Sequence, residues 1–144
     1  MANLNDLNAR VRQVQVDIDN LINNSVVNLV IAILRDLLNN TPVDTGKAIS
    51  NWQVSLTGPI RNEIESYSVG TAGSTKNVVI ANAIGQAVGI LAARRPHQPI
   101  YLGNAVPYIV RLNQGSSRQA PAGFIDSAFL RARLTQGAIR LNYG

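Results

Sequence analysis

The sequence predicts an α+β domain, a long N-terminal helix packed on a small, mostly antiparallel sheet with further short helices. Apolar residues recur at helical spacing over the first forty positions, short alternating segments follow, and no regular strand–helix repeat of a parallel α/β sheet is present. Leu4, Leu7, Val11, Val14, Ile18, Leu21, Ile22, Val26, Leu29, Val30, Ile33 and Leu37 stand three or four apart, which marks one long amphipathic helix. The strict heptad holds to Leu21; Ser25 and Asn28 then occupy its seam, a drift that suits a straight helix lying on a sheet better than a continuous coiled coil. Asn39-Asn40 can adopt a left-handed cap and Pro42 opposes continuation, so the helix is expected to end near residue 40.

From Ser50 to Ser55 the alternation of Trp52, Val54 and Leu56 with polar neighbours predicts a strand, which Gly58-Pro59 stops. A second strand is expected over Glu63 to Val69, then a small-residue loop from Gly70 to Thr75 and an alanine-rich helix from Val78 to Ala93. Pro96 and Pro99 frame a stiff basic connector, followed by a short strand at Ile100-Tyr101-Leu102 and a helical turn or two from Pro107 to Leu112, capped by Gly115. Pro121 can start a last helix with Phe124, Ile125, Ala128, Phe129 and Ala132 on one face, ending by Gly137. Ile139, Leu141 and Tyr143 then alternate as a terminal strand would.

The 144 residues fit one domain spanning 1–144, and 46% hydrophobic residues suffice for a core. The absence of cysteine removes disulfides and thiolate metal sites, and the N-terminus carries no signal-peptide pattern, so the cytoplasm is the expected site of synthesis and assembly. Asn28, Arg35 and Asp36 interrupt the most apolar run, Val26 to Leu38, which argues against a membrane span. The net charge of +5 is spread along the chain, with Arg94-Arg95 the only adjacent basic pair, so no DNA-binding arm is apparent.

The residues offer little catalytic chemistry, and no cofactor is expected. His97 is the single histidine, and no serine lies in a Gly-x-Ser-x-Gly turn that would pair with it and Asp126 as a hydrolytic triad. Thr75-Lys76-Asn77 lacks the Gly-Lys-Ser/Thr of a phosphate loop. Glu63 and Glu65 fall on one strand face, where alternating acids mark the solvated side. Arg94-Arg95-Pro96-His97 reads as an exposed loop or a contact to a neighbouring subunit before it reads as a phosphate contact. More informative is Thr41-Pro42-Val43-Asp44-Thr45-Gly46, in which Asp44 or Thr45 can accept backbone N–H bonds and Gly46 permits unusual backbone angles.

That turn, leading to Trp52 after a long first helix, resembles the tail-completion or neck proteins of long-tailed bacteriophages. A second segment is similar to the same family: Tyr101-Leu102-Gly103-Asn104-Ala105-Val106-Pro107-Tyr108, continuing through Arg111-Leu112-Asn113-Gln114-Gly115 to Ser117-Arg118-Gln119-Ala120-Pro121-Ala122-Gly123. The two segments and the first helix cover about half the chain, and 70–98 matches no pattern of the family. Two departures bear on subunit contacts: Lys47-Ala48-Ile49 replaces a leucine–arginine pairing after the turn, and Asn113 stands where an acid is common.

The resemblance implies a non-enzymatic virion subunit, assembled in the host cytoplasm as a ring, hexameric by analogy, between the head connector and the tail terminator or tube, with genomic DNA passing through its lumen. Which neck ring it forms stays open. Asp44, Thr45, Gly46, Trp52, Tyr101, Asn104, Pro107, Tyr108, Gly115, Gln119, Pro121 and Gly123 are then expected to shape turns and interfaces. Ring closure needs one patch to meet a different patch on the next copy. The strand at 138–144, with Ile139, Leu141 and Tyr143, is a candidate for that contact by strand addition, and Arg94 and Arg95 are candidates for subunit or DNA contact. The alternative function is a basic DNA-binding protein; a hydrolase centred on His97 ranks last.

Overall fold

The structure, a computed structural model, describes residues 3–42, 46–67, 76–115 and 122–136, with side chains to residue 132. It is an α+β arrangement in which a long helix lies against two shorter helices and a two-stranded sheet. Helix α1 runs Leu4–Asn40, 37 residues, or about 55 Å at the usual rise. A capping box starts it: the Asn3 side chain accepts the Asp6 N–H at 3.0 Å while the Asp6 carboxylate accepts the Asn3 N–H at 3.3 Å.

The left-handed cap expected at Asn39-Asn40 does not form. Both residues stay helical, the Asn40 amide donates back to the Asp36 carbonyl, and Thr41 ends the helix with extended backbone, the conformation a following proline favours. The Leu37 carbonyl accepts both the Thr41 N–H at 2.9 Å and the Thr41 hydroxyl at 2.6 Å, which ties this residue to the last turn.

Gly46, at φ 82°, opens the short helix α2 (Lys47–Ser50), and strand β1 (Trp52–Ser55) follows. Helix α3 is Lys76–Leu91, strand β2 Tyr101–Asn104, helix α4 Ile109–Asn113 and helix α5 Phe124–Gln136. The strands pair antiparallel, Trp52 opposite Asn104 and Ser55 opposite Tyr101. The strand expected from Ser50 starts later because Ser50 and Asn51 close α2. Helix α3 begins and ends slightly earlier than expected, and α4 starts at Ile109 after the Pro107 turn.

The second expected strand, Glu63 to Val69, is absent over its described part. Residues 63–67 run as irregular chain, because the Ile64 N–H and carbonyl bond the Asn51 side chain at 2.7 and 3.0 Å instead of a neighbouring strand. Ser68 and Val69, the loop expected at Gly70 to Thr75 and the terminal strand with Ile139, Leu141 and Tyr143 lie outside the described residues.

The core gathers one face from each main element. Ile33, Leu34, Leu37 and Leu38 of α1 meet Trp52 and Val54 of β1, Ile49, Ile109 and the one-face series Val79, Ala83, Ala87 and Leu91 of α3. Phe124, Ala128 and Ala132 complete it from α5, with Ile125 partly buried, whereas Phe129 lies 45% exposed, so the last helix buries a narrower face than expected. Only the C-terminal part of α1 is embedded, and the apolar stripe from Leu4 to Leu21 is largely in water. By length and composition alone α1 could cross a membrane. Its last turns are built into the core, however, and Asp36 there receives two Arg131 bonds from α5 at 2.6 Å.

Two consequences can be measured. Thr41→Val keeps the shape but leaves the buried Trp52 indole N–H, which donates to Thr41 Oγ1 at 2.8 Å, without an acceptor. It should cost about 2 kcal/mol in urea unfolding, and Trp52→Phe combined with it should cost less than the two single losses together. The Arg131 guanidinium holds the Asp36 carboxyl below its ordinary range, first through its hydrogen bond and then through its charge. The unfolded chain therefore binds the proton more readily, and this contribution to stability is full above about pH 4 and falls as the pH drops further. Arg131→Met should flatten that acid limb.

Candidate functional site

Thr41 to Trp52 and Tyr101 to Gly123, the two segments singled out in the sequence, converge around α2 and the sheet. Trp52, at the start of β1, is buried beneath Thr41, while Asn104 faces it across the ladder. Asn104 donates its amide to the Ala48 carbonyl of α2 at 2.8 Å and accepts the Val106 N–H at 3.0 Å, so one side chain ties the end of β2 to α2 and bends the chain towards Pro107. Tyr101 is half-buried opposite Ser55, Pro107 is exposed, and Tyr108 stands at the N-cap of α4, 39% exposed.

The segment after α4 folds back on itself. Gly115, at φ 94°, ends that turn with its Cα so close to Ala122 that a Cβ would lie 3.1 Å from the alanine methyl. The Gly123 N–H donates to the Asn113 carbonyl at 2.6 Å. Asn113 in turn accepts the Ile125 N–H at 2.9 Å, capping α5, and its amide donates to the Asp126 carboxylate at 3.3 Å. The departure noted at Asn113 therefore has a local cause, because an acid there would face Asp126 with like charge. Asp44, Thr45, Gln119 and Pro121 lie outside the described residues.

Sequence reasoning gave no role to three residues that hold this region together. Thr41, Ser50 and Asn51 are fully buried polar side chains, and each has a partner: Thr41 joins Trp52 to Leu37, Ser50 Oγ accepts the Tyr67 N–H at 3.1 Å, and Asn51 grips Ile64. For Ser50 and Asn51 the place between Ile49 and Trp52 was the available signal, since a polar residue between core residues must find a bond. Gly103 is a fourth: Ile60 packs against its Cα so closely that a Cβ there would come within 3.1 Å.

The basic connector is anchored inward. Arg94 donates to Asn23 Oδ1 at 2.5 Å and to the Gln98 carbonyl at 2.9 Å, and Gln98 reaches the Leu56 carbonyl at 3.3 Å. Arg95 and His97 are exposed, His97 at φ 66° with its ring 3.9 Å from Asp19. Glu63 is exposed and pairs with Lys47 at 2.6 Å, an arrangement that raises the lysine pKa through the hydrogen bond and then the charge of Glu63. Glu65 is exposed as well, as a solvated face requires.

An open groove of about 280 Å³ runs between β1 and α3, lined by Trp52, Val54, Tyr67, Ala87 and Ile90. Its polar side chains are Gln53, Gln86 and Tyr67, whose phenol burial pushes upward in pKa; none is a carboxylate, imidazole or amine. Among the described residues no three His, Cys, Asp or Glu side chains come together. The side-chain bonds at Trp52, Asn104 and Asn113 fix backbone shape. Comparison with protein-family models, with characterised proteins and with solved structures finds no match.

Asn113→Asp should therefore destabilise the fold at neutral pH by about 1 kcal/mol, through loss of the donor and repulsion from Asp126. Measured against the parent chain in urea, the deficit should shrink as the pH is lowered and the carboxyl pair takes up a proton, because here the folded state holds the proton more tightly. A deficit independent of pH would show that Asp126 does not sense position 113.

Proposed function

We propose that this chain is a structural subunit of a bacteriophage neck or tail, one copy in a ring between head and tail, acting by shape and without catalysis. The observation that carries the reading is the use of its two family-like segments. Their described polar groups at Trp52, Asn104 and Asn113 are spent on bonds that fix turns, in the way an assembly part needs its surface held in one geometry. Large apolar side chains meanwhile stand in water on several elements, among them Val88 of α3, Val110 of α4 and Leu130 of α5, as on a protein that buries them against neighbours. The ring is hexameric by the resemblance, its partners are the head connector and the tail terminator or tube, and the net charge of +5 suits a lumen that passes DNA. DNA binding as the main function has less support, since Arg94 is engaged within the chain.

Immunogold electron microscopy of particles carrying a tagged copy tests this. Label at the head–tail junction is expected, with native mass spectrometry of the purified chain giving a closed set of copies. A protein absent from purified particles, or one that binds duplex DNA tightly with a steep salt dependence while staying monomeric, would overturn the proposal.

A further inference from the structure

The first half of α1 is a helix with an apolar stripe that no other described residue covers. Leu4, Leu7, Val11, Val14, Ile18 and Leu21 follow a strict heptad, and five of them are roughly half to three-quarters exposed, from 48% at Leu21 to 71% at Leu4. Among the described residues, contact with the body of the domain begins near Asp19 and Asn23, which meet His97 and Arg94. The exposed stripe from Leu4 to Leu21 is about 27 Å long.

From this geometry we infer that the segment pairs antiparallel with the same segment of a second copy. Set antiparallel, the stripe is its own complement: Leu4 lies against the partner's Leu21, Leu7 against the partner's Ile18, and Val11 against the partner's Val14, so every apolar layer is filled. The flanks agree in the same register. Arg10 on one edge falls beside the partner's Asp17, and Asn8 on the other edge falls beside the partner's Gln15, so the pairing carries two opposite-charge contacts and two amide contacts. A parallel pairing offers neither; it sets Arg10 beside Gln15 and Asp17 beside the apolar Ile22. Length fits as well, because the overlap uses the whole exposed stripe and each helix tip arrives where the partner's body begins. Burying two such faces removes on the order of 1,200 Å² from water, the lower end for a specific interface. The contact is two-fold, unlike the head-to-tail contact that closes a ring, so it goes beyond the neck reading and is tested separately from it.

The chain has no cysteine, so single cysteines report the pairing directly. Leu4→Cys and Leu21→Cys change exposed positions away from the core. Mixed and oxidised, the two full-length variants should form a mixed disulfide dimer, while Leu4→Cys alone should not cross-link, its two thiols lying at opposite ends. Arg10→Asp should weaken dimerisation at least tenfold in sedimentation equilibrium, and Arg10→Asp with Asp17→Arg should restore it. Cross-linking of Leu4→Cys to itself, failure of the charge swap to restore the dimer, or a chain monomeric by sedimentation would overturn the inference. Rings that form with no Leu4–Leu21 cross-link would overturn it while leaving the neck reading standing.

Discussion

The Trp52 indole N–H reaching the Thr41 hydroxyl, which itself donates to the Leu37 carbonyl, joins the end of the long helix to the first strand. All three residues are buried, so none of these groups can fall back on water, and the geometry of the turn between them is closely constrained. With that junction set, β1 presents Trp52 and Val54 to α1 and α3, and β2 is brought alongside with Asn104 facing Trp52. Asn104 then secures α2, and the chain beyond it reaches α4 and, through Asn113, the start of α5. The two segments that look like family signatures are in this sense one construction, a set of side chains that hold backbone turns in place around a small core.

Much of this was legible from the residues. The α+β class, the long first helix and the strand at Trp52 follow from periodicity, which reports which side of an element is apolar. Positive backbone angles at Gly46 and Gly115 match the turns expected there. The errors have a common origin. Glu63 to Tyr67 alternates like a strand, but its backbone partners are the side chains of Asn51 and Ser50, and periodicity cannot tell a side-chain partner from a neighbouring strand. Asn39-Asn40 has the composition of a left-handed cap, yet Thr41 before Pro42 ends the helix more effectively. Phe129 sits at core spacing in α5, but the face that meets α1 is only as wide as Phe124, Ala128 and Ala132.

The sequence also hid how little of α1 the other described elements cover. Its apolar pattern is continuous from Leu4 to Leu37, and nothing in the spacing says that the neighbouring elements stop near Asp19. A helix whose strict heptad lies in water, on a body whose other helices also expose large apolar side chains, is a part shaped for company. Arg94 illustrates the converse: a residue that looks available for a partner in the sequence is bonded to α1 and to its own loop.

Hydrogen–deuterium exchange of the full chain, followed from dilute to concentrated solution, tests most directly whether these exposed surfaces exist to be covered by sister copies. The account predicts slow exchange at Leu37 and Trp52 at every concentration, and protection of residues 4–21 that rises steeply as the chain is concentrated. Residues 4–21 that exchange equally fast throughout would contradict it.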